Sequence, residues 1–201
     1  ENTTELISFA KNESIDITIV GPEAPLVLGV VDDFQKEGLA IFGPSRLASQ
    51  LEGSKAFCKD FLHRNNIPTA FYQVFTESSP AIRYVQEMGV PIVIKADGLA
   101  AGKGVIIANT QQEAAAAIND MLHENRFGSA GSRVVIEEFL IGEEASFIVM
   151  ADGVNILPMA TSQDHKARDN NDKGPNTGGM GAYSPAPIVT PKVFSDAMDK
   201  V

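Results

Sequence analysis

The first part of the chain alternates between helical and strand-like spacing of apolar positions. Leu6, Ile7 and Ala10 fall on one helical face, and the β-branched run at 15–20 is typical of a buried strand. The predicted elements are a helix over 3–13, a strand over 15–20, a helix over 26–37 and a strand over 39–42. Their order predicts the second half of a parallel, doubly wound α/β sheet.

Helical spacing returns over 45–65, with a break near Gly53. Ser54 is predicted to be the N-cap of the second helical segment, because its hydroxyl can accept from a free backbone N–H. Cys58 lies in the apolar stripe of that segment. We therefore interpret it as a core residue rather than a nucleophile.

After Pro68 the pattern predicts a small α+β unit over 73–140. Its expected elements, with the strand that leads into it, are strands over 70–75, 91–96, 104–108 and 133–137 and helices over 79–88 and 110–122.

The last part of the chain begins with a predicted hairpin of strands 143–151 and 154–160, turning at Asp152-Gly153. Residues 161–187 show little apolar periodicity and many Gly, Pro, Asn and Asp residues. They predict a long loop, and such loops in compact domains are usually functional. A helix is expected after Thr190, and both ends of the chain read as internal to a longer protein.

Composition narrows the class of protein. The chain has 201 residues and a net charge of −10, which argues against binding to nucleic acid or to an anionic membrane. Cys58 is the only cysteine, so no intramolecular disulfide can form and a reducing compartment is expected. No apolar run approaches the ~20 residues that span a bilayer, and no signal segment opens the chain. We expect a cytoplasmic protein.

A glycine-rich turn at 94–105 carries the first candidate chemistry. Its small residues let backbone N–H groups approach phosphate oxygens, and Lys95 and Lys103 add positive charge. The turn is not a Walker loop, because Gly104 follows Lys103, and it is not a Rossmann loop, because it leads into a strand. Turn chemistry alone would also explain the glycines.

A second candidate lies downstream, where the apolar strand 133–137 runs into the paired acids Glu137 and Glu138 and then into Glu143 and Glu144. Backbone groups of such a linker can contact an adenine edge, and a carboxylate such as Glu144 can hold ribose hydroxyls. A charged surface connection between two strands is the alternative interpretation.

Six segments together resemble the phosphoribosylamine–glycine ligase family of the ATP-grasp superfamily. They are GPEAPL at 21–26, LEGSKAF at 51–57, IKADGLAAGKGV at 94–105, EEFLIGEEASF at 137–147, ATSQDHK at 160–166 and GPNTGGMGAYSP at 174–185. They occur in the family's order and cover nearly the whole chain, which makes chance agreement implausible.

The resemblance implies an enzyme of purine biosynthesis that joins glycine to 5-phosphoribosylamine at the expense of ATP. The products are glycinamide ribonucleotide, ADP and phosphate, formed through a glycyl phosphate. It also implies Mg²⁺ or Mn²⁺, small-molecule partners only, and most simply a monomer. The implied fold is a Rossmann-like half-domain over 1–52, an ATP-grasp A subdomain over 53–72 and 141–201, and a lid subdomain over 73–140.

The resemblance also carries over site residues. Nucleotide-binding roles are implied for Lys55, Lys95, Gly98, Gly102, Lys103, Gly104, Glu137, Glu138, Phe139, Leu140 and Glu144. Substrate-binding roles are implied for Pro22, Glu23, Asp164, Lys166, Asn176, Thr177, Gly178 and Gly179. Catalytic roles are implied for Lys103, Asp164 and His165.

Several alternatives stay open at this point. Glu23 is equally explained as an acid at a helix N-terminus, where the helix dipole favours it, and His165 as a polar loop residue. The family's metal ligands are expected beyond Val201, so no metal ligand is assigned within the chain and the 201 residues alone are expected to be inactive. Another ATP-grasp ligase or carboxylase is the alternative enzyme, and a non-catalytic nucleotide sensor is the alternative class.

Overall fold

A computed structural model describes residues 2–100, 104–123, 128–171 and 173–201. The chain forms two compact units, residues 1–139 and 140–201, and each combines helical structure with β-sheet. The helices are α1 (Thr3–Asn12), α2 (Glu23–Leu28), α3 (Val30–Lys36), α4 (Gln50–Gly53), α5 (Lys55–Arg64), α6 (Ser78–Met88), α7 (Gln111–Leu122) and α8 (Pro191–Lys200), with a 3₁₀ turn at Gly128–Ser132. The strands are β1 (Thr18–Ile19), β2 (Ile41–Phe42), β3 (Tyr72–Phe75), β4 (Ile92–Ala96), β5 (Val105–Ala108), β6 (Val134–Glu138), β7 (Val149–Ala151), β8 (Ile156–Pro158), β9 (Gln163–Asp164), β10 (Ala167–Asp169), β11 (Lys173–Asn176) and β12 (Ala182–Tyr183).

The first unit opens with the predicted parallel pair, in which β1 lies beside β2 and Thr18 is in register with Ile41. A small core of Ala10, Val30, Val31 and Phe34 lies under this pair. The prediction of a buried strand over 15–20 was wrong in length and burial. Strand β1 has two residues and Ile19 is 71% exposed. Within the described residues this sheet consists of β1 and β2 alone. A parallel strand is buried only when its sheet is covered on both faces.

The single helix predicted over 26–37 was also wrong. Gly29 adopts a left-handed conformation, φ +95°, and divides the segment into α2 and α3. A Cβ at this position would collide with the guanidinium of Arg46, which reaches the Leu28 carbonyl. The backbone angle therefore favours glycine at this position, and Arg46 would have to move to admit a side chain.

Helix α5 begins as predicted at Ser54, whose hydroxyl accepts a hydrogen bond from the Phe57 N–H at 3.1 Å. Residues 46–49 form turns rather than the predicted helix. Cys58 is partly buried, and burial raises the pKa of its thiol. A raised thiol pKa disfavours the reactive thiolate.

A four-stranded sheet in the order β3-β6-β4-β5 forms the larger part of the first unit. All three strand contacts are antiparallel, and α6 and α7 cover one face with a core that includes Ile94, Ile118 and Ile136, none of them exposed. The predicted strands and helices of this region are confirmed, with ends shifted by a residue or two. Thr110 and Glu113 start α7 with a capping box.

The second unit contains the predicted hairpin, β7 paired with β8, turning at Asp152-Gly153. The predicted strand over 143–151 begins only at Val149, although an isolated bridge joins Ser146 to Ser162. The long loop predicted over 161–187 was wrong: it contains two antiparallel ribbons, β9 with β12 and β10 with β11. These strands consist largely of polar residues and glycine, so their backbone pairing leaves no apolar alternation in the sequence.

The described helices are all too short, or too polar, to cross a membrane.

Candidate functional site

The face of the four-stranded sheet opposite α6 and α7 brings lysines together. Along β4, Ile92, Ile94 and Ala96 point into the core under α6 and α7. Lys95 alternates with them and therefore points to the opposite face. Helix α5 lies on that side and contributes Lys55 and Lys59, which are one helical turn apart and share a face.

The carboxylate of Glu137 lies at the centre of this face. Its Oε2 atom is 2.9 Å from Lys59 Nζ and 3.0 Å from Lys95 Nζ, and the side chain is only 6% exposed. The resemblance assigns Glu137 to the segment that contacts adenine largely through its backbone, and in the structure its side chain pairs with two lysines. A buried carboxylate needs such partners, because removing a charge from water costs several kcal/mol when it is not compensated.

Lys55 lies at the N-terminal end of α5, next to the glycine-rich turn. Its Nζ donates to the Gly98 carbonyl at 3.0 Å, and its backbone N–H donates to the Asp97 carbonyl at 3.0 Å. Burial lowers the pKa of Lys55, nearby Asp97 opposes that shift, and nearby Lys95 adds to it. Two ammonium groups thus lie close enough to repel each other, an arrangement that an anion would stabilise.

Asp97 ties the end of β4 to the start of α5. This carboxylate is buried and accepts from Ser54 Oγ at 2.9 Å, from the Ala56 N–H at 2.7 Å and from Arg133 Nε at 3.0 Å. The sequence motif indicates the turn, whereas the role of Asp97 was not predicted. An acid between the last strand residue and the first glycine of the turn was the available signal.

Two glycines of the turn are needed for packing. A Cβ on Gly98 would lie 2.7 Å from the Ala130 Cβ, and one on Gly104 would lie 2.6 Å from the Ala100 Cβ. Close packing therefore accounts for both glycines without a ligand. Gly102 and Lys103, which the sequence also indicates, lie outside the described residues.

The strand end beyond Glu137 is more exposed. Glu138 accepts a hydrogen bond from the Phe71 N–H at 3.3 Å. Phe139 is partly buried, whereas Leu140, the first residue of the second unit, is 63% exposed. Near the start of the chain, Pro22 precedes α2 and Glu23 opens its first turn, both exposed and just past the carboxyl end of β1.

The polar residues predicted to bind substrate in the second unit lie on the two antiparallel ribbons. The His165 N–H donates to the Gly181 carbonyl at 2.9 Å, and the His165 carbonyl accepts from the Met180 N–H at 2.8 Å. The Lys166 carbonyl accepts from the Thr177 N–H at 2.7 Å, and its ammonium pairs with the Glu144 carboxylate. Ribbon pairing thus places 164–166 directly against 177–182.

Asp164 and Gly179 approach closely within this ribbon. Gly179 has a φ of +127°, and a Cβ there would lie 2.9 Å from Asp164 Oδ1. Gly178 is exposed, and the backbone of Asn176 pairs with Ala167. The His165 and Tyr183 rings lie 5.4 Å apart between centroids. The structure therefore brings together Asp164, Lys166, Thr177 and Gly179, four residues to which the resemblance assigns substrate binding.

The residues described in both units include no group of three or more His, Cys, Asp or Glu side chains suited to holding a metal ion.

Comparison with known proteins places this geometry in a class. The D-alanine–D-alanine ligase of Bacillus anthracis superposes with a TM-score of 0.69 over all of this chain and 62% of its own, at 22% identity, a likeness of fold alone. Residues 53–201 match the family model described as phosphoribosylglycinamide synthetase, ATP-grasp (A) domain. The fold is therefore a mixed α/β fold of the ATP-grasp class.

The particular family follows from the rest of the chain. Residues 1–52 match the model described as phosphoribosylglycinamide synthetase, N domain. The chain belongs to the phosphoribosylglycinamide synthetase family.

Individual relatives agree with this family. The chain is 69% identical to the phosphoribosylamine–glycine ligase of Salmonella typhi over 98% of this chain and 46% of that protein. The crystal structure of the Thermotoga maritima phosphoribosylamine–glycine ligase has a TM-score of 0.75 and 32% identity, over 90% of this chain and 45% of that one. The chain spans about half the length of the curated relatives that it matches.

Proposed function

We propose that the full-length protein containing this chain ligates glycine to 5-phosphoribosylamine with ATP, giving glycinamide ribonucleotide, ADP and phosphate. The observation that carries the proposal is that the likeness to proteins named phosphoribosylamine–glycine ligase runs through 98–100% of the chain at 67–69% identity. It includes both the lysine-bearing sheet face and the paired ribbons. The single cysteine supports a reducing compartment such as the cytoplasm.

The sheet face supplies the nucleotide side of this proposal. Lys55 and Lys95 bind the phosphates, since phosphoryl transfer depends on positioning and on neutralising charge. ATP supplies the activated phosphoryl group that the carboxylate of glycine accepts. Lys103 and Gly102 are assigned to the same phosphates by the resemblance alone, and the backbone at Phe139 and Leu140 to the adenine.

Glu144 is assigned to the ribose hydroxyls. In this structure its carboxylate pairs with Lys166, and both side chains are substantially exposed, 61% and 45%. An exposed ion pair contributes about 1 kcal/mol or less, so a ligand hydroxyl can replace the lysine at small cost.

The paired ribbons supply the acceptor side. Asp164, His165 and Lys166 carry the charged and proton-accepting groups, and Thr177, Gly178 and Gly179 provide a turn with accessible backbone. Asp164 and His165 are proposed to orient the amine that attacks the acyl phosphate. Exposed Pro22 and Glu23 are proposed to contact the ribosyl substrate from the carboxyl end of β1.

Use of Mg²⁺ or Mn²⁺ is proposed from the family resemblance, which places the metal ligands after residue 201. The metal would neutralise charge on the phosphates. Within the described residues, the positive charge proposed to neutralise the phosphates comes from lysines.

The proposal is tested by assaying ADP formation by the purified full-length protein. ADP formation that requires both glycine and freshly prepared 5-phosphoribosylamine is expected. Replacing glycine by bicarbonate or by formate should abolish turnover. Turnover with bicarbonate in place of glycine would instead indicate a carboxylase, and nucleotide binding without turnover on any acceptor would indicate a sensor.

A further inference from the structure

The pair of lysines on one carboxylate oxygen defines a further role. We propose that Lys59 is a positioning residue for nucleotide binding: it neutralises the buried Glu137 carboxylate, so that the charge of Lys95 remains available to a phosphate. This inference rests on the proposed function, because it assigns the phosphate ligand to Lys95.

The Lys59 side chain is buried, and its ammonium group contacts other groups of the protein. Its side chain is 11% exposed, and its Nζ lies 2.9 Å from Glu137 Oε2, 2.7 Å from Thr69 Oγ1 and 3.5 Å from the Ala70 carbonyl oxygen. The ring of Tyr72 lies 5.9 Å from the same nitrogen. These partners replace the hydration of the ammonium group and occupy its three hydrogen-bond donors, so none remains for a ligand.

Lys95 differs from Lys59 although it contacts the same oxygen. Its side chain is 26% exposed, and it lies in β4 two residues before Asp97, where the glycine-rich turn begins. It is also close enough to contribute to the lowered pKa of Lys55. Lys95 is therefore the member of the pair that can face an anion.

Charge counting explains why both lysines are needed. Two ammonium groups against one carboxylate leave one net positive charge in the cluster. Without Lys59, Glu137 would pair with Lys95 alone and the net charge would be zero. Because the cluster is shielded from water, a unit charge there has a stronger effect on a nearby phosphate than one at the surface.

The experiment measures ADP affinity by calorimetry in the full-length protein and three variants: Lys59→Met, Glu137→Gln, and the double variant carrying both. Lys59→Met should bind ADP about tenfold more weakly than the wild type. Adding Glu137→Gln to Lys59→Met restores one net positive charge and should recover most of that loss. Raising the ionic strength should weaken binding to the wild type more than binding to Lys59→Met.

Lys36→Met is the matched control, since that side chain is 72% exposed on α3 and pairs with Asp33; its ADP affinity should equal that of the wild type. A purely structural role for Lys59 would not predict that removing a second charge restores affinity. Equal ADP affinity of Lys59→Met and the double variant, both shown by circular dichroism to be folded, would overturn the inference.

Two further outcomes are decisive. If Lys59→Met does not fold, the ADP affinity of Glu137→Gln is compared with that of the double variant. The double variant lacks both the Glu137 carboxylate and the Lys59 ammonium, so neither buried charge is left without a partner. Weaker ADP binding by Glu137→Gln than by the double variant would then overturn the inference. A wild-type protein that does not bind ADP would overturn the proposed function and this inference together. If the wild type binds ADP and the variants bind it with the same affinity, the inference alone is overturned.

Discussion

At the scale of single residues, the site is built from charges that oppose one another. Lys59 and Lys95 pair with one buried carboxylate, Glu137, while Lys55 lies near Asp97, which anchors the neighbouring turn. Concentrating like charges is unfavourable in the free protein and becomes favourable when an anion binds. Under the proposed function, the phosphates of the nucleotide would offset the repulsion within the lysine face.

Lys55 gives a direct test of this balance. Burial lowers its pKa from the ordinary value of 10.5, so the unfolded chain holds the proton more tightly than the folded protein. The lysine therefore opposes folding below its folded-state pKa, and this penalty disappears as the pH rises through that pKa toward 10.5. In Lys55→Met, we expect ADP affinity to fall by about tenfold or more, while the free energy of unfolding at neutral pH does not fall.

The measurement pairs calorimetry with urea unfolding across alkaline pH, with exposed Lys36→Met as the control. Unchanged ADP affinity in Lys55→Met would remove this lysine from the site. A large loss of stability at neutral pH would show that its hydrogen bond to Gly98 matters more than its desolvation.

Asp97 is expected to matter for stability rather than for charge. Asp97→Asn leaves the Arg133 guanidinium without its buried ionic partner and replaces a carboxylate oxygen by an amide donor near other donors. We expect the free energy of unfolding to fall by about 1–3 kcal/mol. Asp60→Asn, which removes an exposed ion pair with Arg64 on α5, should cost about 0.5 kcal/mol or less; equal losses in urea unfolding would contradict the assignment of Asp97 as an anchor.

At the scale of elements, the two kinds of pairing in the chain differ in what holds them. The four-stranded sheet is held by a fully buried apolar face. The ribbons of the second unit depend on backbone hydrogen bonds, on Gln163 with Tyr183 and Glu143, and on buried Thr161 bonded to Ser184 and Ala186. Neither apolar core cluster found among the described residues includes a residue of the ribbons, so single backbone positions should decide their geometry.

Gly179→Ala tests this dependence. Its φ of +127° disfavours a side chain, and the new Cβ would press on the Asp164 carboxylate. We expect the kcat/KM for the glycine and ribosylamine substrates to fall about tenfold or more, with ADP affinity unchanged. Gly142→Ala, where a Cβ meets open space and φ is ordinary, is the control; matching kinetics for the two variants would argue against a role for this turn.

At the scale of the whole molecule, stability is distributed unevenly. Strands β4 and β6 are central in the sheet, and the side chains of Ile94, Val134 and Ile136 are entirely buried. Hydrogen exchange in the full-length protein should be slowest at the amides of these two strands and faster in β9 to β12, because exchange follows local opening. Equal protection of the ribbons and the central strands would contradict the picture of one strong sheet and a weakly supported ribbon.

The sequence by itself determined the elements that carry apolar periodicity. Helices α1, α6 and α7, strands β3 to β6 and the hairpin turn at Asp152-Gly153 follow from local spacing and capping, since burial of one face leaves a regular pattern. The six motifs determined the family, and they indicated Lys55, Lys95 and the 164–166 segment before any contact was known.

Tertiary structure decided what depends on contacts between distant residues. Arg46 packs against Gly29 at the point where the helical segment divides. The ribbons of 161–187 form by backbone pairing, which leaves no periodic pattern of side chains in the sequence. Asp97 becomes an anchor because Ser54 and Arg133 both bind its carboxylate. In the sequence, Lys59 is indistinguishable from an ordinary surface lysine of a helix. Only the packed structure shows that it pairs with the buried Glu137 carboxylate. Pairing of buried charges is set by which elements pack together, and local spacing along the chain does not encode that.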